Sequence, residues 1–104
     1  MYTGTHKVYI LYRLTVSIMS YTVETPETFE KEFIKRHRDK ARWLQKVIER
    51  LEQDPESGKP LQGRLHGIWQ LKTGPFRLWY EINDMEKKVV LRVFLHKDEA
   101  TKRY

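Results

Sequence analysis

The sequence predicts an α+β fold, a small antiparallel sheet with two N-terminal helices packed on one face, in the order strand, helix, helix and three strands. Two observations carry this. Apolar residues recur at helical spacing between Phe29 and Leu51, and between Ile68 and His96 the pattern changes to strand-like alternation broken by Gly, Pro and Asn-Asp turn chemistry. At 104 residues the chain is one domain, long enough for one real hydrophobic core.

Residues 1–18 alternate weakly through Val8, Ile10, Tyr12, Leu14 and Val16, with no acid and no turn signal. They are read as an N-terminal extension, either an added edge strand or an over-extended gene start, and residues 19–104 as the domain proper. "SYTVET" is a short strand. Thr25-Pro26-Glu27 marks a helix entry: Thr25 can cap, Pro26 suits the first helical position, and Glu27 favours the positive helix end. Phe29, Phe33 and Ile34 give the first helix its apolar face. After the polar break "RHRDK", Leu44, Val47, Ile48 and Leu51 do the same for the second. Two prolines and a glycine between Asp54 and Pro60 end that helix. Strands are expected at Ile68–Lys72, Phe76–Ile82 and Val89–His96, joined through Thr73-Gly74-Pro75 and "NDMEKK".

Composition excludes several classes of function. There is no cysteine, hence no disulfide or thiolate chemistry, and the four histidines lack metal-ligand spacing. No metal and no cofactor is expected. No apolar run reaches the roughly 18 residues of a membrane span, and Arg13 interrupts the segment that could pass for a signal sequence, so a cytoplasmic protein without membrane contact is expected. The net charge is +6 and lies in two blocks. Residues 36–51 carry a local excess of cations, and residues 59–80 hold Lys59, Arg64, Lys72 and Arg77 with no acid at all. Such blocks either solvate a surface or face a polyanionic or acidic partner.

Alternation divides each strand between two faces. Trp69, Leu71, Phe76, Leu78, Tyr80, Ile82, Leu91, Val93 and Leu95 should meet the helices. Gln70, Lys72, Arg77, Trp79, Arg92, Phe94 and His96 should then lie on an open face. Cations beside aromatic rings suit single-stranded nucleic acid, through phosphate neutralisation and base stacking. With RNA the same face can support cleavage: the 2′-hydroxyl attacks phosphorus, cations hold the phosphorane charge, and a base and an acid move the protons. His96 is the residue on this face whose ordinary pKa suits that transfer near neutrality. Each residue also has an ordinary reading. Arg77 can pair with Glu81, Lys72 and Arg92 can be solvated, and Trp79 and Phe94 can cover sheet surface.

"PLQGRLHGIWQLKTGPFRLWYEI" followed by "VVLRVFLHKDEATKRY" resembles the signature of the RelE/ParE toxin superfamily. The likeness runs from Met19 to Tyr104. It consists of a Leu-x-Gly-x-Leu-x-Gly-x-Trp lead-in, a basic strand, an aromatic followed by Arg, a Tyr-Glu-Ile close and a last strand ending in His-Lys. The resemblance implies a microbial-RNase-like fold. It also implies a toxin of a type II toxin-antitoxin system that enters the ribosomal A site and cuts mRNA, held in check by an acidic antitoxin. By the same resemblance Lys72 and Arg77 take transition-state charge, His96 transfers a proton, Lys97 positions phosphate and Tyr104 stacks or assists proton transfer. Lys59, Arg64, Gln70, Trp79, Arg92 and Phe94 complete the expected RNA-binding surface. Gln70 stands where some RelE members have a second lysine, and Lys59 where a related toxin has a glutamate. A ParE-like inhibitor of DNA gyrase and a non-catalytic binding module are the alternatives.

Overall fold

The computed structural model describes residues 20–103, so the extension expected over 1–18 and the terminal Tyr104 lie outside the described residues. The elements are β1 (Thr22–Glu24), α1 (Glu27–His37), α2 (Ala41–Gln53), β2 (Lys59–Pro60), β3 (Trp69–Thr73), β4 (Phe76–Asn83), β5 (Lys88–His96) and α3 (Lys97–Arg103). Short 3₁₀ turns fill Arg38–Lys40, Pro55–Ser57 and Gly63–Leu65. The strands form one sheet in the order β1-β5-β4-β3-β2.

The expected α+β architecture is present, with three differences. β1 pairs parallel to β5: the α1–α2 excursion carries the chain from β1 at one edge of the sheet to β2 at the other, and the antiparallel meander from β2 to β5 brings it back beside β1. β2 adds a two-residue edge strand, antiparallel to β3 through Lys59 opposite Gln70 and Pro60 opposite Trp69. The C-terminal residues form a third helix, with Asp98 and Glu99 in its first turn and Lys102 and Arg103 in its last, the charge order that suits the helix dipole. At the start of α1, Pro26 takes the capping position in an extended conformation and the Thr25 hydroxyl donates to the Glu30 carboxylate at 2.6 Å, so the helix begins one residue later than expected.

The decisive departure is a β-bulge. β4 and β5 pair regularly from Phe76 opposite His96 to Trp79 opposite Val93, but Tyr80 then stands opposite Leu91. Arg92 is therefore the extra residue of β5, and side chains beyond it change face. Leu91 points to the helices as expected, and Val89 with it. Phe94, opposite Leu78, joins them, whereas Val93 and Leu95 turn to the other side with Trp79 and Arg77. The sequence "VVLRVFL" is apolar on both parities, so either register satisfies it.

Both faces are consequently covered. On one, Phe29 and Phe33 of α1 and Val47 and Leu51 of α2 pack on Leu71, Leu78, Tyr80, Val89, Leu91 and Phe94. Phe94 meets Phe33 edge-on at 5.3 Å and stacks on Phe76 at 5.1 Å. On the other, Trp79 and Leu95 are buried with Leu61 and with Ala100 of α3, flanked by Leu65, Ile68 and Val93. Burying a leucine such as Leu78 or Leu95 contributes about 1.5–3 kcal/mol, so the second, smaller core matters to stability.

Candidate functional site

The β3–β4 hairpin turns through Gly74-Pro75, with Gly74 at φ 56°, the left-handed value that a two-residue hairpin loop requires at its first position. This tight turn sets Lys72 directly opposite Arg77. Both lie on the face away from α1 and α2. Arg77 is fixed by its own turn: Nη1 donates to the carbonyls of Gly74 at 3.0 Å and Phe76 at 2.8 Å. A guanidinium has five N–H donors, so others remain for a ligand. Lys97 follows β5 directly, and its backbone N–H donates to the Pro75 carbonyl at 2.7 Å, which ties the start of α3 to the hairpin turn.

These ties bring Lys72, Arg77 and Lys97 around one open groove of about 570 Å³, completed by Gln70, Asp98, Ala100 and Thr101. Asp98 is the acid among those lining residues, so the groove is net positive and matches a phosphate. Gln70 is held in place, its Oε1 accepting from Trp79 Nε1 at 2.8 Å. A second hollow of about 400 Å³ shares Gln70 and Lys72 with the groove and adds Arg50, Leu71 and the loop and edge-strand residues from Ser57 to Leu61, Lys59 among them.

The other expected site residues are placed as follows. His96 does not line this groove. It pairs with Phe76 and shares the helix-side face, its ring edge-on to Phe76 at 5.7 Å, its Nδ1 accepting from the Asp98 N–H at 3.2 Å. The expected open-face position of Phe94 is corrected by the bulge: its ring is in the helix-side core. Trp79 is on the expected face but only 4% exposed, because α3 and the Leu61–Ile68 segment cover it, so it presents no free ring for a base. Arg92 is engaged by Glu81 through Nε at 3.0 Å and Nη2 at 2.8 Å. Lys59 is exposed on β2 beside the second hollow, Arg64 is exposed in the Gly63–Leu65 turn away from the groove lining, and Tyr104 lies outside the described residues.

Sequence reasoning missed Arg50, Asp98 and Thr101. Arg50 lies in the basic block of residues 36–51, and its link to Lys59 and Lys72 is made by the loop after α2 and by the pairing of β2 with β3. Asp98 and Thr101 were legible in principle, through the acid-first, base-last order of a short terminal helix. Among the described residues no group of His, Asp and Glu is placed to hold a metal ion, and no helix is long and apolar enough to cross a membrane.

Residues 23–100 match the family described as the ParE toxin of type II toxin-antitoxin systems, parDE. No curated protein matches the chain. Among solved structures it is similar to the toxin-antitoxin complex RelBE2 of Mycobacterium tuberculosis, with 28% identity, a TM-score of 0.68, and coverage of 74% of this chain and 98% of that one. It is also similar to an E. coli RelE toxin solved free as a mutant with two arginines changed to alanine: 25% identity, TM-score 0.63, coverage 81% and 90%. The RelE–RelB complex of Pyrococcus horikoshii, at 17% identity and a TM-score of 0.61 over 76% of this chain and 97% of that one, shares the fold. With most of its length matched by the family and its sheet and helices arranged as in RelE, the chain belongs to the RelE/ParE superfamily of type II toxin-antitoxin toxins.

Proposed function

We propose that this toxin is a ribosome-dependent endoribonuclease that cleaves mRNA in the A site. The observation that carries the reading is the convergence of Lys72, Arg77 and Lys97 on one groove, with Arg77 oriented in advance by the Gly74 and Phe76 carbonyls. In the reaction the 2′-oxygen attacks the adjacent phosphorus, the bond to the 5′-oxygen breaks, and a cyclic phosphate and a 5′-hydroxyl result. Arg77 and Lys72 stabilise the extra negative charge of the phosphorane, and Lys97 positions the phosphate. Oriented donors of this kind are effective because they need no rearrangement as the charge develops. One proton leaves the 2′-hydroxyl and one must reach the 5′-oxygen. His96, one residue from Lys97, is assigned this transfer and must swing from Phe76 towards the groove as RNA binds. Direct transfer through the substrate phosphate is the route that spares it.

An antitoxin with an acidic segment is the proposed protein partner, and the cytoplasm, where ribosomes and message meet, the site of action. Programmed ribosomes carrying message should show A-site cleavage that Arg77→Ala and Lys72→Ala each reduce by about 10²–10³-fold, the usual loss for one transition-state donor. Unchanged cleavage by both variants would refute the assignment. A second reading, inhibition of DNA gyrase without hydrolysis, has one observation in its favour: the matching family model is that of the ParE toxin. Purified toxin that blocks gyrase supercoiling and leaves ribosome-bound message intact would establish it instead.

A further inference from the structure

The strongest unassigned feature is the cationic surface that continues from the groove across the edge of β3. The second hollow places Arg50 of α2 and Lys59 of β2 beside Lys72, which lines the groove as well. β2 is only two residues long and pairs with Trp69 and Gln70 alone, so this edge stays open next to Leu71 and Lys72. On α2, Arg42, Lys46 and Arg50 follow one another at intervals of four and form one exposed stripe that flanks the Val47 and Leu51 face entering the core.

Charge pairing separates these residues from several other cations. Lys31, Arg36, Lys40, Lys88 and Arg92 each have an acid within ion-pair distance. Among the described residues Arg42, Lys46, Arg50, Lys59, Lys72, Arg77 and Lys97 have none; Lys35, Arg38, Arg64, Lys87, Lys102 and Arg103 have none either, and what sets the first group apart is its continuity along α2, the second hollow and the groove. Glu49, beside Arg50 in sequence, makes no ion pair with them. The stripe also lacks an apolar centre: its exposed neighbours on α2 are Gln45, Glu49 and Gln53, and the large exposed hydrophobics of the described chain, Ile34 and Met85, lie elsewhere. A protein interface needs a buried apolar centre. A row of unpaired cations without one suits a phosphate backbone.

We infer that Arg50 and Lys59 form a second phosphate-binding subsite next to the groove, and that Arg42, Lys46 and Arg50 lead the RNA backbone from it onto the outer face of α2. The inference rests on RNA being the ligand of the groove. It adds a direction: the strand crosses the open β3 edge at Lys72, passes Lys59 at the end of β2, and runs away from the hairpin turn. Gly58 holds this geometry, because a Cβ there would stand 2.6 Å from the Gln70 carbonyl oxygen and only glycine lets Lys59 sit so close to β3.

The test is binding of the full-length toxin to a short, fluorescein-labelled single-stranded RNA carrying 2′-methoxy groups, which cannot be cleaved by 2′-hydroxyl attack. Anisotropy is followed across a salt series. For single strands the slope of log K against log salt falls by about 0.7 for each phosphate contact removed. Arg50→Gln/Lys59→Gln should therefore lower the slope by about 1.4, and Arg42→Gln/Lys46→Gln by a similar amount. Lys31→Gln/Lys35→Gln on α1 removes the same charge and should leave the slope unchanged. A wild-type slope in the Arg50/Lys59 variant, an equal drop in the α1 control, or no RNA binding by the wild type would each overturn the inference. Cleavage is measured separately on ribosomes. Loss of slope in a toxin that cuts nothing leaves the RNA track standing and removes the nuclease reading, whereas cleavage with an unchanged slope does the reverse.

Discussion

His37 shows how far one residue's behaviour depends on neighbours distant in sequence. Its ring lies 4.7 Å from Phe94, 5.6 Å from Phe76 and 6.0 Å from Phe33, at the end of α1. Loss of solvent around the ring, and then the positive charges of Lys40 and Arg36, hold its pKa below the ordinary histidine value. The unfolded chain therefore binds a proton more readily than the folded one. Stability from this residue is fully present above the ordinary pKa of about 6.5 and declines as pH falls towards the lower folded value. The thermal midpoint should drop on acidification from about pH 7.5 to pH 5, and His37→Gln should flatten that dependence. An identical pH profile in the variant would show that the aromatic cage does not disfavour the imidazolium.

At the scale of elements, Tyr80 fastens the end of α2's connecting loop to the sheet. It is fully buried on β4, and its hydroxyl donates to the Pro55 carbonyl at 2.7 Å and accepts from the Gly58 N–H at 3.1 Å. Burial also raises its pKa, so the phenol stays protonated. Tyr80→Phe strands a part-buried N–H and carbonyl and should cost about 1–3 kcal/mol. Gly58→Ala forces β2 away from β3 and should cost about 1–3 kcal/mol as well, through overpacking. Denaturant unfolding of both variants reads these losses directly. A Gly58→Ala midpoint equal to wild type would show that the edge strand yields freely, and Lys59 would then lack a fixed place.

At the scale of the molecule the sheet separates two cores, and this changes what the aromatic residues do. Trp79 belongs to the smaller core with Leu61, Leu95 and Ala100, and its indole N–H is satisfied by Gln70. Trp79→Ala should destabilise by about 3–5 kcal/mol, as expected for a buried aromatic. On an open sheet face the same change would cost little. Equilibrium unfolding distinguishes the two, and a loss below about 0.5 kcal/mol, typical of surface sites, would contradict the two-sided arrangement. Gln70 thus acts as a bridge: its amide supports the core through Trp79 while its position borders both hollows of the cationic surface.

The sequence by itself determined the first strand, the two helices with their apolar face, the three long strands and the pairing of Lys72 with Arg77, since these follow from local periodicity and turn chemistry. A two-residue turn makes Lys72 and Arg77 neighbours without help from the rest of the fold. Tertiary structure alone decided three things. The bulge at Arg92 moved Phe94 into the core and put His96 on the helix side, because an apolar run fits either face until its partner strand fixes the register. The covering of Trp79 by α3 depended on a helix too short to stand without that contact. The approach of Arg50 to Lys59 and Lys72 came from the loop that follows α2 and from the pairing of β2 with β3, for which periodicity along one helix carries no signal.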